Sequence, residues 1–174
     1  METNTTPVST TSVGLRYGLL TGLVSIIISF GLFVSHQEAG PLRFVTFAVL
    51  IAGMVLGMIF FKQNNQGFMS FGQGVGVGTV LSAVVGLLSG IFSYVYMNII
   101  DPSVVIRMTE KIRADMEARG GMSDEQIDQA MAISGKMMNG PIMLVTALLG
   151  TILVGVILAM IISAFIKHAQ PEFE

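Results

Sequence analysis

The sequence predicts an all-α integral membrane protein, in which four transmembrane helices form a small bundle and an amphipathic helical hairpin lies between the third and the fourth. Two observations support this class. The 174 residues are 52% hydrophobic and only 11% charged, whereas soluble domains average about 25% charged residues. The charges are also segregated, since five of the nine Lys and Arg and seven of the eleven Asp and Glu lie between Asp101 and Lys136.

Four apolar runs are long enough for transmembrane helices, because about 20 helical residues cross the roughly 30 Å of hydrocarbon in a bilayer. The predicted spans cover about residues 13–34, 43–62, 77–99 and 141–166. The first run is longer than the apolar part of a signal peptide, so we interpret it as a retained span. The spans belong to one membrane domain, residues 13–168, between a disordered N-terminal tail at 1–12 and a short C-terminal tail at 169–174.

The third apolar run, from Gly67 to Ile100, would extend about 50 Å as one helix at about 1.5 Å per residue, which exceeds a single crossing. Its first part, GFMSFGQGVGVG at 67–78, is rich in glycine, and we expect it to form a short interfacial approach before the helix. Asp101-Pro102 ends the run, because a residue before proline disfavours the helical conformation.

Small residues recur four positions apart in every run, a spacing that lets the backbones of transmembrane helices approach closely. The longest stripes are Gly78, Ser82, Gly86 and Gly90 in the third run and Ala147, Thr151, Gly155, Ala159 and Ser163 in the fourth. Such a stripe either packs against another helix or lines a pathway, and we favour packing. The candidate helix-packing residues are Gly18, Gly22, Gly53, Gly57, Gly86, Gly90 and Gly155.

The charged block predicts two amphipathic helices joined by a Gly-Gly turn. The first covers Ser103 to Arg119, and the second follows Ser123, which has Gln126 three residues later as in a capping box. Their apolar faces form either a seam between the two helices or a surface that binds a partner. The candidate interaction residues are Met108, Ile112, Met116, Ile127 and Met131.

The residues predict no catalytic, cofactor-binding or metal site, and we expect no cofactor and no enzymatic reaction. GQGVGVG lacks the Lys-Ser/Thr ending of a phosphate-binding loop. His36 and His168 have no carboxylate or second histidine at ligand spacing. No ionisable residue lies in the middle of a span, which argues against ion-coupled transport and hydrolysis. The net charge of −2 gives no reason to expect a nucleic-acid partner.

An even number of spans places both termini on one side of the membrane, together with Arg16, Lys62 and Lys167. Because these basic residues directly flank their spans, we expect cytoplasmic termini. A simple count of Lys and Arg favours the opposite orientation, with the charged block in the cytoplasm.

Three segments, GFMSFGQGVGVG, IFSYVYMNIIDP and MSDEQIDQAM, resemble segments that occur in the same order in a bacterial membrane family catalogued as domain of unknown function 4199. The resemblance covers the chain after its N-terminal tail. It implies four spans in a bacterial inner membrane, and it brings no activity, ligand or site residues.

These features predict a non-enzymatic scaffold, accessory or interaction protein of the membrane. Its expected partners are the lipid bilayer and either a protein partner or further copies of itself. The alternative is a passive channel or small transporter, with the glycine-rich start of the third span as its constriction.

Overall fold

A computed structural model describes residues 8–138 and 140–168 of the chain. These residues form six α-helices and no strand. A 3₁₀ turn, Pro41–Phe44, leads into the second helix, and a π-helical segment, Tyr96–Ile100, continues the third. The α-helices are α1 (Thr10–Val34), α2 (Val45–Asn64), α3 (Phe71–Val95), α4 (Ser103–Arg119), α5 (Asp124–Met137) and α6 (Gly140–Ile166).

Within the described residues, four helical segments are long and apolar enough to cross a membrane by length and composition. They are Thr10–Val34, Pro41–Asn64, Phe71–Ile100 and Gly140–Ile166, and each contains one of the four predicted spans. The prediction of an all-helical fold is therefore confirmed. The predicted tails at 1–7 and 169–174 lie outside the described residues.

The first helix begins earlier than predicted, at Thr10 inside the segment expected to be disordered. One tertiary contact and one local hydrogen bond stabilise this early start. Val8 packs against the main apolar cluster of the protein, and the N–H of Val13 donates to the carbonyl of Ser9, four residues earlier, at 3.1 Å. Residues 10–12, which the prediction assigned to the N-terminal tail, belong to α1 in the structure.

The glycine-rich stretch before Val77 is helical, and the predicted interfacial approach at 67–78 is wrong from Phe71 onward. Ser70 begins the helix with a capping box: the N–H of Gln73 donates to Ser70 Oγ at 3.2 Å, and the N–H of Ser70 donates to Gln73 Oε1 at 2.8 Å. These bonds satisfy N–H groups that the first turn of a helix leaves without partners. The chain reverses instead at Gly67, which has a φ of +83°.

Helix α3 lies between α1 and α6 and makes its most extensive contacts with these two helices. The small-residue stripes of α3 and α6 face each other in antiparallel order. A Cβ added at a glycine of one stripe would meet a small side chain of the other stripe. The resulting pairs are Gly74 with Ser163, Gly78 with Ala159, Gly155 with Ser82, and Gly86 with Thr151.

The opposite side of α3 receives α1 in a different way. Here the glycines of α1 lie against larger residues of α3, and the pairs are Gly14 with Val80, Gly18 with Val84, and Gly22 with Leu88. Helix α2 covers α1 at Gly53, where an added Cβ would overlap the side chain of Thr21. Met54, Met58 and Phe61 of α2 are at most 1% exposed and belong to the main apolar cluster.

The two ends of the long helices differ in their contacts. At the end that carries the described N-terminal residues, Lys62 Nζ donates to the carbonyl of Ile166 at 3.1 Å. Met69 and His168 exchange two backbone hydrogen bonds of 2.9 Å at this same end. The opposite end carries the loop between α1 and α2 together with α4 and α5, so the charged block lies away from Lys62.

The charged block has the helices that its sequence predicts. Helix α4 covers Ser103–Arg119, and the turn that follows uses Gly120 and Gly121, with φ of +65° and +82°. Ser123 and Gln126 form the expected capping box at the start of α5, with bonds of 2.9 and 3.3 Å. The sequence Asn139-Gly140-Pro141 predicts a break before the fourth span; Asn139 lies outside the described residues, and Gly140 begins α6.

Candidate functional site

A cavity of about 370 Å³ lies between the long helices, toward the end that carries α4 and α5. It is lined by residues of α1, α2, α3 and α6, and half of these residues have hydroxyl groups. The hydroxyl-bearing residues are Ser25, Ser29, Thr46, Ser89, Thr146 and Thr151. We call this space the hydroxyl cavity.

The hydroxyl cavity exists because α2 and α6 diverge. Near the Lys62 end the two helices touch: Ser163 Oγ lies 3.8 Å from Met58 Sδ. Toward the other end, residues 46–50 of α2 and 146–154 of α6 face the cavity. Its exposed lining residues are Phe47, Thr146 and Gly150, so the cavity opens between α2 and α6.

The hydroxyl groups of the cavity are not equally satisfied. Thr46 Oγ1 donates to the carbonyl of Arg43 at 2.7 Å, and Thr151 Oγ1 donates to the carbonyl of Ala147 at 2.8 Å. Ser89 Oγ, by contrast, is buried without a hydrogen-bond partner among the described residues. A buried hydroxyl without a partner costs about 1–3 kcal/mol, so a group that accepts from Ser89 would be stabilised here.

A second, smaller cavity of about 130 Å³ adjoins the first and contains charged groups. Ser29 and Thr46 line both spaces, and Glu38 and Arg43 line the smaller one. We call it the Glu38 cavity. The side chain of Glu38 is 4% exposed, although this residue lies in the loop after α1 and not within a helix.

Glu38 is held by Arg107 of α4, whose Nε donates to Glu38 Oε1 at 2.8 Å. Arg107 also donates to Ser103 Oγ at 2.6 Å and to Asp101 Oδ2 at 3.3 Å. The second carboxylate oxygen of Glu38, Oε2, is buried and has no partner within the described part of the chain. One carboxylate oxygen of Glu38 is therefore buried without a donor among these residues.

The same network shifts two pKa values outside the helices that could cross a membrane. The hydroxyl of Ser103 donates to Asp101, and this bond, aided by Arg107, lowers the pKa of Asp101 below its ordinary value. The hydrogen bond to Glu38 raises the pKa of Arg107, which keeps the guanidinium charged. Both shifts favour the ion pairs that hold α4 against the loop after α1.

The candidate helix-packing glycines lie at contacts between helices. Gly18 and Gly22 face α3, Gly86 and Gly155 lie between α3 and α6, and Gly53 faces α1. The two remaining positions are less tightly enclosed: a Cβ at Gly57 would lie 3.4 Å from Tyr17, and one at Gly90 would lie 3.6 Å from Leu144.

The candidate interaction residues of α4 and α5 do not form an exposed patch. Ile127 is 3% exposed, and the other four are half-buried. Met108 packs against the apolar cluster of Phe33, Tyr96, Met97 and Val104. Helices α4 and α5 contact each other, and Arg113 Nη2 lies 3.0 Å from Asp128 Oδ1. This placement favours a seam over a free binding surface.

The residues of the two cavities were not predicted from the sequence. One signal was available: Ser25 and Ser29 lie four positions apart in a mostly apolar run, so their hydroxyls share one helix face. A second signal was Glu38, an acidic residue in a short loop between two apolar runs. Neither signal shows that α2 and α6 leave a space between them.

Within residues 8–138 and 140–168, no three His, Cys, Asp or Glu side chains come together in a way that could hold a metal ion. His36 and His168 lie at opposite ends of the long helices, and His168 stacks on Phe68 with ring centroids 5.5 Å apart. Asn98 Nδ2 donates to the carbonyl of Tyr94 at 3.0 Å, within its own helix.

A family model described as "Protein of unknown function (DUF4199)" matches residues 16–168. No curated protein matches the chain. No solved structure matches it either.

Proposed function

Because the chain belongs to the DUF4199 family, whose description names no activity, we propose a function from the geometry: a membrane protein that binds a phospholipid in the hydroxyl cavity. In this proposal α1, α2, α3 with its π-helical extension, and α6 each cross the bilayer. Helices α4 and α5 form an extramembrane hairpin. The protein catalyses no reaction and acts as an accessory protein through what it binds.

The apolar surface supports insertion into a bilayer. Large side chains on the outward faces of the long helices are widely exposed, including Ile27 at 69%, Leu153 at 67% and Phe165 at 86%. Soluble monomers rarely expose continuous apolar surface beyond a few hundred Å². A bilayer would cover these side chains, as it covers any transmembrane helix.

The lateral opening of the hydroxyl cavity is the observation that carries the proposal. An opening between α2 and α6 would face the hydrocarbon in the proposed arrangement, where a lipid chain can enter without crossing water. Leu50, Val85 and Val154 provide apolar walls, and the unpartnered Ser89 hydroxyl could donate to an ester carbonyl. Phospholipids combine these two chemistries in one molecule.

The proposed orientation and compartment are based on the sequence. We propose an inner-membrane protein with cytoplasmic termini, since Arg16, Lys62 and Lys167 would lie near the cytoplasmic surface. A protein partner or a second copy of the chain could bind α4 and α5, whose Ile106 and Ile133 are 59% and 61% exposed. This partner role stays a prediction.

The channel alternative places its constriction at the glycine-rich start of α3. There Gly74 and Gly78 lie against Ser163 and Ala159 of α6, in the manner of packed helices. The described contacts therefore give this alternative no specific support. A flux of small solutes into liposomes, lost on substitution of Gly76, would support it.

Lipid retention tests the proposed function. We expect the protein, purified in mild detergent and examined by native mass spectrometry, to carry a phospholipid. A Cβ at Gly150 would meet nothing within 4 Å, yet this residue lines the hydroxyl cavity, so Gly150→Leu should fill the cavity without disturbing helix contacts. This variant should lose the lipid and keep the helical circular dichroism spectrum of the parent, which would show that the loss does not come from unfolding.

Gly31→Leu is the matched control. Gly31 also has nothing within 4 Å of an added Cβ, but it lies on α1 outside the cavity. It should retain lipid like the parent protein. Lipid retention that is equal in Gly150→Leu and in the parent, or a parent protein without lipid, would contradict the proposal.

A further inference from the structure

We propose that the phospholipid has a primary-amine headgroup, with its ammonium bound by Glu38 and its phosphate bound by Arg43. This inference rests on the proposed function and adds the class of lipid. It follows from the Glu38 cavity, where one negative and one positive side chain line the same small space.

Glu38 provides the acceptor for the ammonium. Its side chain is 4% exposed, and Oε1 is occupied by Arg107 at 2.8 Å. Oε2 is buried without a partner among the described residues. A buried carboxylate oxygen without a donor costs free energy, and a hydrogen bond from N–H to a charged acceptor is stronger than one to a neutral acceptor.

Arg43 provides the positive charge for the phosphate. Its guanidinium lies 5.0 Å from the ring of Phe44, and no ion pair of Arg43 occurs within the described residues. Arginine binds phosphate oxygens through paired N–H donors. The zwitterion of an amine phospholipid therefore matches the two charges of this cavity.

The position of the two cavities fits a lipid lying along the helices. Glu38 and Arg43 lie in the loop and turn between α1 and α2, near the exposed side chains of Leu42 and Phe44. This is the level at which a headgroup would lie. From there the hydroxyl cavity follows α6 inward from Thr146 to Val154, about 12 Å at about 1.5 Å per residue.

The number of N–H donors distinguishes headgroups that have the same charge. A primary ammonium has three N–H donors, whereas the quaternary ammonium of a choline headgroup has none. Both are cations, so Coulomb attraction to Glu38 does not separate them. A hydrogen bond from N–H to Oε2 requires the primary amine, and successive N-methylation removes the donors one at a time.

Competition between defined lipids tests the inference on the unmodified protein. Delipidated full-length chain is mixed with equal amounts of phosphatidylethanolamine, its N-methyl and N,N-dimethyl derivatives, and phosphatidylcholine. Native mass spectrometry then gives the bound ratio. We expect phosphatidylethanolamine to exceed phosphatidylcholine by about tenfold, with the methylated lipids between them.

Three substitutions test which side chains select the headgroup. Glu38→Gln should reduce the preference for phosphatidylethanolamine over phosphatidylcholine to near one. Glu110→Gln, an exposed carboxyl on α4, removes the same charge and should leave the preference unchanged. Arg43→Gln should weaken binding of every phospholipid without changing the ratio between the two headgroups.

The outcomes separate the two proposals. If Gly150→Leu abolishes lipid binding but phosphatidylethanolamine and phosphatidylcholine bind the parent protein equally, the headgroup inference is wrong and the lipid cavity stands. If Gly150→Leu leaves the amount of bound lipid unchanged, the proposal of a lipid cavity is wrong, and the headgroup inference loses its basis. Water-soluble phosphoethanolamine should not displace the lipid, and displacement by it at micromolar concentration would show that the site recognises a free solute.

Discussion

The Nε atom of Arg107 donates to Glu38 Oε1 at 2.8 Å and so joins two residues that are 69 positions apart in the chain. This bond connects α4 to the loop after α1. It also holds one oxygen of a carboxylate whose other oxygen is buried without a partner among the described residues. Helix α4 and the proposed lipid site are therefore linked through a single buried carboxylate.

The first prediction concerns this ion pair. Arg107→Ala should lower the unfolding midpoint in detergent by several degrees, because the carboxylate of Glu38 would stay buried without its cation. Arg113→Ala is the control, since Arg113 and its partners Glu117 and Asp128 are 46%, 54% and 64% exposed, and exposed pairs stabilise little. Circular dichroism during heating measures both.

A double-mutant cycle can also measure the interaction energy between Arg107 and Glu38. In the Arg107→Ala background, Glu38→Gln should recover part of the lost stability, because it removes the unpaired charge. Additive losses in the double variant would show that the two side chains do not interact.

The second prediction concerns the stripe between α3 and α6. Gly78→Val should destabilise the protein by about 1–3 kcal/mol, the usual cost of overpacking, because its Cβ would overlap Ala159. Gly72→Val makes the same change on the same helix, where an added Cβ meets nothing within 4 Å. Equal unfolding curves for the two variants would contradict the antiparallel contact.

The third prediction concerns the start of α3. Its early turns contain Gly72, Gly74 and Gly76, each of which weakens a helix by about 1 kcal/mol relative to alanine. Ser70→Ala should therefore cost about 1 kcal/mol by removing the cap. Hydrogen exchange should accelerate at residues 71–76, and Ser70→Asp should restore protection. Unchanged exchange in Ser70→Ala would show that contacts with α6 suffice.

The fourth prediction concerns topology. The chain has no cysteine, so single substitutions give labelling without background. Asn64→Cys lies at the end of α2 and Glu110→Cys on α4, both at exposed positions. A membrane-impermeant maleimide applied to spheroplasts, whose outer membrane and cell wall have been opened, should label Glu110→Cys and not Asn64→Cys. Inverted vesicles should give the reverse pattern. Labelling of both from one side would contradict four crossings.

Local features were predictable from the sequence. The bounds of α4 and the capping box of Ser123 with Gln126 are both as expected, because helix formation and capping depend on residues within about one turn. The apolar runs likewise located the four long helices. At Gly67–Gly78 the glycine content indicated an irregular segment, and this prediction was wrong from Phe71 onward. The Ser70 cap and the contacts with α6 stabilise a helix there.

The sequence by itself determined the helical class, the segregation of charge and the small-residue stripes. Each of these is a pattern along one stretch of chain. Only the tertiary structure decided that the stripe of α3 meets that of α6, that α2 and α6 diverge, and that Glu38 is buried beneath Arg107. These relationships depend on how far apart whole helices lie and which faces they share. The hydroxyl cavity, the proposed site of function, is the space left by that arrangement.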